Sequence, residues 1–166
     1  EQISIELWMR NLSHSATGFQ AYVLFDHSVL AYRGDLSSYP VDDPFPLHIV
    51  PLVDAGSISA ANVLHFDGAT LGAGAAADHL LVTLVFDVVG NCSAAPLSFT
   101  TYANPPLVFQ SQLSANGFPF VTALESSAAL VLDLAPPVLS GVPADETIEC
   151  PGAIPAPPAV TATDDC

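Results

Sequence analysis

The chain has 166 residues, which suits one domain with an appendage, and 51% of them are hydrophobic, enough for a packed core. The chain has 17 acidic side chains, two arginines and no lysine, which gives a formal net charge of −15 at pH 7. Because clustered Lys and Arg bind phosphate groups, this charge argues against a nucleic-acid partner and against anionic membrane surfaces. No apolar run reaches about 18 residues, so no membrane span is predicted.

Apolar and polar residues alternate along much of the chain, the pattern of half-buried β-strands. Five clear stretches occupy residues 3–9, 19–25, 80–88, 97–101 and 130–134. In the fourth stretch, one face consists of Leu97, Phe99 and Thr101. Shorter candidates lie at residues 47–50, 57–60, 63–66, 107–110 and 118–122. We predict an all-β fold, a sandwich of about nine strands, over residues 1–134.

Two segments break this alternation. Residues 26–32 suit a single helical turn in which Asp26 caps the first free N–H groups. Residues 72–77, with the sequence GAGAAA, are of low complexity and predict a flexible loop.

The composition changes at residue 135. Seven of the 31 residues from 136 to 166 are proline, and only residues 138–139, 147–149 and 159–163 favour strands. A segment of this size cannot bury a core of its own. We therefore expect an extended, Pro-rich tail over residues 135–166 that packs on the sandwich, hangs loose or pairs with another chain.

The three cysteines indicate the compartment in which the protein is found. Cys150 and Cys166 have 15 residues between them, and closing such a loop would stabilise the fold by about 3 kcal/mol in the chain-entropy model. We predict a disulfide between them and hence an extracellular, secreted or cell-surface setting. Cys92 is left either as a half-buried thiol or as a link to another chain. Asn11, in Asn-Leu-Ser, and Asn91 match the glycosylation sequon.

No catalytic centre is predicted, and no cofactor. The chain has no nucleophile elbow, and its five histidines are typical of solvated surface groups, with a metal site as the alternative. The paired acids at residues 42–43, 145–146 and 164–165 suit solubilising loops, with Ca²⁺ binding as the alternative. Trp8 and the four tyrosines favour packing on the second face of a sheet, with sugar stacking as the alternative.

Residues 18–33, GFQAYVLFDHSVLAYR, resemble the early hairpin of cohesin-type modules. The resemblance continues through an apolar strand at residues 57–69, the block LVTLVFDV at residues 81–88 and a closing strand at residues 128–134. Cohesin-like modules are jelly-roll sandwiches of about nine strands that serve in extracellular assembly. The resemblance therefore implies an interaction module rather than an enzyme.

The tail is similar to the opening of a hyalin-repeat or related Ig-like adhesion module, with Pro-Pro-x-apolar, Val-Pro-Ala-Asp and Val-Thr-Ala-Thr-Asp-x-Cys segments. Against the cohesin pattern, the sequence is one strand short at its start and carries surplus strand-forming residues at its end. We expect a filament of identical copies, in which the tail of one copy complements the sandwich of the next. The alternative is a fragment of a larger adhesin that binds a protein or glycan. The expected interface residues are Val138, Leu139, Val142, Ile148, Val160 and Thr161.

Overall fold

The computed structural model describes residues 1–55, 62–90, 93–95, 97–120, 130–133, 135–145, 147, 156 and 158–164. Within these residues the chain forms fourteen β-strands, a short 3-10 turn at Leu52–Asp54 and no α-helix. Every pair of neighbouring strands runs antiparallel. The strands are β1 (Gln2–Met9), β2 (Gly18–Leu24), β3 (Leu30–Tyr32), β4 (Val63–Ala69), β5 (His79–Val88), β6 (Ser93–Ala95), β7 (Ser98–Phe99), β8 (Thr101–Asn104), β9 (Leu107–Gln110), β10 (Gln112–Ala115), β11 (Phe118–Phe120), β12 (Leu130–Leu132), β13 (Val138–Ser140) and β14 (Thr161–Thr163).

Two sheets pack face to face as an antiparallel β-sandwich. The first has the order β1-β5-β3, and the second has the order β11-β10-β2-β4, with β7 also paired to β2. The core between them is lined by the alternate apolar residues of both sheets, and its largest fully buried side chains are Phe45, Phe66, Phe86, Leu30, Leu64, Leu84 and Val82. The sequence prediction of an all-β sandwich is therefore confirmed.

The predicted number of strands is wrong. Twelve strands lie within the described part of residues 1–134, where about nine were expected. Residues 97–101 form two short strands in different sheets, and β3 and β10 lie in stretches without clear alternation. Residues 47–50 form no strand, since only Leu47 makes an isolated bridge, to Ala69. The prediction at residues 57–60 falls outside the described residues.

A β-bulge shifts the inward face of β5. Leu7 pairs with Val82 but Trp8 pairs with Leu80, so β5 carries one extra residue, Leu81. Leu81 and Val82 are both buried, whereas Leu80 is only half-buried. Strict alternation had placed Leu80 on the apolar face, and the bulge replaces it there with Leu81.

Two predicted irregular segments behave differently. Asp26 does cap a single turn, because its carboxylate accepts the Ser28 N–H at 2.9 Å and its carbonyl accepts the Leu30 N–H at 2.9 Å. Leu30 then begins strand β3 rather than extending a helix. The loop at residues 72–77 is pinned to the fold, because Ala75 and Ala16 exchange two backbone hydrogen bonds of 2.8 Å. The flexibility of the rest of this loop stays a prediction.

One lateral side of the sandwich is closed by residues 33–55. Ser38 pairs with Thr83 beside β3, and Leu47 pairs with Ala69 on the edge of β4. Between these two contacts Phe45 is fully buried against Phe19. The segment therefore continues β3 along the same edge of β5 and covers the outer edge of β4, and the opposite lateral side is bordered by β1.

Candidate assembly site

The outer edge of β1 has no strand beside it among the described residues. Strand β1 pairs with β5 on one side only and ends the sheet order β1-β5-β3. The Val88 N–H donates to the Glu1 carbonyl at 2.8 Å, so these two opposed residues form a hydrogen-bonded pair. Hydrogen-bonded and non-hydrogen-bonded pairs alternate along an antiparallel ladder, so every second residue of β1 from Glu1 onward bonds to β5. The backbone N–H and C=O groups of Gln2, Ser4 and Glu6 therefore point away from β5. These are the groups that pair with an added strand.

The inward side chains of β1 are incompletely covered. Ile3, Ile5 and Leu7 face the core and pack against it, yet each is only half-buried. Met9, the last residue of the strand, is buried. The same row on the central strand β5 is buried from Leu81 to Val88 at each inward position. The difference follows from position, since β1 has a neighbour on one side only.

Trp8 and Arg10 lie on the solvent face at the end of β1. The Arg10 guanidinium carbon lies 4.8 Å from the centre of the Trp8 ring, a cation–π contact. The Trp8 indole N–H donates to the Glu6 carboxylate at 2.8 Å. Arg10 makes no ion pair within the described part of the chain, whereas Arg33 is held by Asp35 and Asp87 at 2.8 Å each.

The tail is exposed throughout its described residues, from Pro136 to Asp164. Strands β13 and β14 pair only with each other, with Leu139 opposite Ala162. Five predicted interface residues, Val138, Leu139, Val142, Val160 and Thr161, are therefore accessible, and Leu139 is 60% exposed. The sixth, Ile148, lies outside the described residues, as do Cys92, Cys150 and Cys166. The disulfide and the interface stay predictions.

Asn11, the predicted glycosylation site, lies in an exposed turn directly after β1. Its φ of 54° is in the left-handed region that asparagine tolerates better than most residues. The Asn11 N–H donates to the Asp78 carboxylate at 2.9 Å, which fixes the turn against the start of β5. The position is accessible, and its modification stays a prediction.

His48, Asp43 and Asp67 are used in packing. His48 stacks on Tyr39 with ring centres 3.5 Å apart, and its Nε2 lies 2.6 Å from the Asp43 carboxylate. Its Nδ1 contacts the Asp67 carbonyl. The Asp67 carboxylate accepts the Ile49 and Val50 N–H groups. Together these contacts fasten residues 43–50 to β4.

His65 and Asp67 lie two residues apart on one face of β4, as the sequence predicted, but make no hydrogen bond. His65 instead stacks on Tyr22 with ring centres 4.5 Å apart, and both of its ring nitrogens are buried with no hydrogen-bond partner among the described residues. Burial lowers the pKa of His65, an effect that the nearby Asp67 charge opposes. No group of three or more His, Cys, Asp or Glu side chains that could hold a metal occurs among the described residues.

The tyrosines serve packing rather than an open platform. Tyr22, on the second face of β2, is 3% exposed and lies under Tyr102 and Phe109 of the β8–β9 hairpin. The Tyr32 hydroxyl donates to the Leu52 carbonyl at 3.0 Å. Burial raises the pKa of the Tyr39 hydroxyl, which has no hydrogen-bond partner. Sequence reasoning did not find the Tyr22–His65 stack, because the two residues are adjacent only through strand pairing.

No helix among the described residues is long and apolar enough to cross a membrane. No protein-family model matches this chain, and no curated protein matches it significantly. The cohesin and hyalin-repeat resemblances therefore rest on the quoted residues alone.

Proposed function

We propose that this protein is an extracellular structural subunit, a cohesin-like β-sandwich whose copies polymerise head to tail by strand complementation. The C-terminal tail of one copy adds to the outer edge of β1 in the next. The observation that carries the proposal is the edge of β1, which no strand of the described residues pairs with, above a half-buried apolar row formed by Ile3, Ile5 and Leu7.

The physical driving force is the burial of that edge. An added strand satisfies the outward backbone groups of β1 and covers its apolar row. Three or four buried apolar side chains contribute several kcal/mol at about 25 cal/mol per Å². The edge and the tail are different surfaces of one chain, so the contact is heterologous, and contacts of this kind form filaments when they do not close into a ring.

The tail supports the proposal as the donor. Its described residues are exposed, and they include apolar side chains at Val138, Leu139, Val142 and Val160. Exposed apolar side chains that cluster are typical of interaction surfaces. Pro136 and Pro137 stiffen the connection to the sandwich, which limits the entropy lost when the tail docks.

The first test is the native mass of the full chain, with electron microscopy of the same samples. We expect long polymers whose abundance increases with protein concentration. Discrete monomers at high concentration, with a protease-sensitive tail, would contradict the proposal and favour the alternative of an adhesin fragment that binds a protein or glycan.

A variant of Ser4 isolates the edge. Ser4→Pro removes an N–H group that points away from β5, so it blocks strand addition without breaking the β1–β5 ladder. The preceding residue, Ile3, is already extended, as proline requires. Ser4→Ala keeps the N–H and serves as the matched control. We expect Ser4→Pro to remain monomeric and Ser4→Ala to assemble normally.

The extracellular setting has its own test. Formation of the Cys150–Cys166 disulfide removes two hydrogens, so the oxidised chain is about 2 Da lighter than the reduced chain. We expect that form in protein secreted by its natural producer. The native mass with and without reductant also tells whether Cys92 links two chains.

A further inference from the structure

We infer that the Arg10–Asn11 peptide bond is a processing site for a protease that cuts after arginine, and that the cut releases strand β1. The position of the site does not depend on the proposed function. Its consequence for assembly rests on that function and deepens it, because the cut acts on the same edge of the sandwich. Once β1 leaves, a strand of a second copy takes its place beside β5.

The composition of the chain leaves a protease that cuts after arginine or lysine two possible sites. The 166 residues contain no lysine, and their two arginines are Arg10 and Arg33. The tail, residues 135–166, contains neither residue type, so such a protease leaves the proposed donor strand intact. The structure decides between the two arginines.

The Arg33–Gly34 bond is protected by packing. The Arg33 guanidinium forms ion pairs of 2.8 Å with both Asp35 and Asp87. Gly34 lies against the 3-10 turn, where a Cβ on Gly34 would come within 2.6 Å of the Leu52 carbonyl oxygen. A protease can reach this bond only after the packing opens locally, which makes cleavage there slow.

The Arg10–Asn11 bond, in contrast, lies in an exposed loop. Residues 10–15, which follow β1, are all exposed except Leu12, and they form no strand. The Arg10 side chain stacks on Trp8, and an exposed cation–π contact of this kind is weak. No strand of the described residues lies beside the outer edge of β1, so a protease can bind the residues before the cut as an added strand.

The chemistry of the cut favours separation of its two ends. Water adds across the peptide bond, so Arg10 gains a terminal carboxylate and Asn11 gains an ammonium group. The Asn11 nitrogen already lies 2.9 Å from the Asp78 carboxylate, so the new ammonium group stays paired there. The new carboxylate of Arg10 forms beside the same Asp78 and is repelled by it. The cut therefore leaves the loop anchored and the end of β1 free.

After the cut, the chain no longer joins β1 to the rest of the sandwich. Strand β1 pairs with β5 on one side only, and its inward residues Ile3, Ile5 and Leu7 are only half-buried. Departure of β1 uncovers the edge of β5, whose inward residues include the fully buried Val82 and Phe86. A chain that has lost β1 therefore offers a more apolar edge to an incoming strand than the intact chain does.

Brief digestion of the folded full-length chain with trypsin tests the site. We expect mass spectrometry to show cleavage after Arg10 at least about tenfold faster than cleavage after Arg33, since the second cut needs local opening. Arg10→Gln removes the site and keeps a polar, exposed side chain, so this variant should remain whole. Cleavage of Arg10→Gln at the rate of the unmodified chain, or earlier cleavage after Arg33, would overturn the inference.

Ser4→Pro tests the release of β1, because the proline blocks addition to β1 but leaves with that strand. We expect Ser4→Pro to assemble after trypsin treatment and to stay monomeric without it. The double variant Ser4→Pro/Arg10→Gln is the matched control and should stay monomeric after treatment. Gel filtration of the cut unmodified chain should separate residues 1–10 from residues 11–166. Co-elution of the two fragments, or a treated Ser4→Pro that stays monomeric while the unmodified chain assembles, would overturn the release of β1.

The outcomes separate this inference from the proposed function. If neither the intact nor the cut chain forms polymers at any concentration, the proposed function fails, and the consequence for assembly fails with it. If the intact chain assembles but trypsin does not cut after Arg10, only this inference fails. Urea denaturation midpoints close to that of the unmodified chain show that the uncut variants are folded.

Discussion

At the scale of single residues, Ser111 completes a sheet where two strands leave a gap. Strands β7 and β10 both pair with β2 on the same edge, and Tyr22 lies between them. The Ser111 hydroxyl accepts the Tyr22 N–H at 2.8 Å and donates to the Tyr22 carbonyl at 3.2 Å. Thus one buried side chain replaces the missing backbone partner.

Ser111→Ala should therefore destabilise the fold. The Tyr22 N–H would be buried without an acceptor, at a cost of about 1–3 kcal/mol. The Tyr22 carbonyl would keep its bond from the Thr100 N–H. Chemical denaturation measures the change, with Ser114→Ala on the neighbouring strand as the control, expected within about 0.5 kcal/mol of the unmodified chain. Equal midpoints for the two variants would show that Ser111 has no such role.

The buried His65 ring leads us to expect that the stability of the fold decreases at acid pH. Burial lowers the pKa of this ring in the folded chain below its ordinary value of 6.5, so the unfolded chain binds the proton more tightly. His65 therefore does not lower the free energy of unfolding above pH 6.5. Below that, the free energy of unfolding decreases as the pH falls from 6.5 towards the lowered pKa of the ring. Protonation would also place a charge on two nitrogens that have no acceptor.

His65→Phe should flatten that decrease, because phenylalanine keeps the stack on Tyr22 and does not titrate. Thermal unfolding at a series of pH values between about 7 and 5 is the measurement. Replacement of the exposed His27 by Gln is the control and should leave the slope unchanged. The same slope in all three proteins would mean that His65 does not control the acid response.

At the scale of elements, the sequence identified strands by alternation and missed them where alternation is weak. Strands β1, β2, β4 and β5 follow clear period-two patterns because one face of each meets the core. Strand β3 has three residues after a turn, and a pattern of that length has no period to detect. The bulge at Leu81 was also hidden, since an extra residue becomes visible only when the partner strand is known.

The pinned loop at residues 72–77 makes a prediction about glycine. Gly74 has a φ of +75°, and a Cβ there would lie 2.1 Å from the Ala16 carbonyl oxygen. Gly117, in the turn between β10 and β11, has a φ of +81°, and a Cβ there would have no atom within 4 Å. Alanine strains the backbone at both positions, but only at position 74 does it also collide with a neighbouring segment.

We expect Gly117→Ala to cost about 1 kcal/mol, the left-handed backbone penalty alone. Gly74→Ala should cost more, because it must also separate Ala75 from Ala16 and break their two hydrogen bonds. Urea denaturation compares the two, and amide exchange at Ala16 and Ala75 reports on the bridge. Equal costs, with both amides still protected, would contradict the steric argument.

At the scale of the whole molecule, the two lateral sides of the sandwich differ. Residues 33–55 continue β3 along β5 and cover the outer edge of β4, whereas no described strand covers β1. The surplus of strand-forming tail residues could be predicted from the sequence, because prolines and a change in composition mark it. The partial exposure of Ile3, Ile5 and Leu7 could not be predicted from the sequence, because alternation assigns residues to a face but does not show how well that face is covered.

Net charge decides how assembly responds to salt. Each copy carries a formal charge of −15, so approaching copies repel one another, and the donor tail is itself acidic. Salt shortens the screening distance from about 10 Å at 0.1 M to about 3 Å at 1 M, while burial of apolar surface is not weakened. We expect the polymer fraction of the unmodified chain to increase over this range. Sedimentation velocity measures the polymer fraction, with Ser4→Pro as a control that stays monomeric at each salt concentration. A polymer fraction that decreases steadily with salt would mean that ion pairs, rather than the apolar row of β1, hold the copies together.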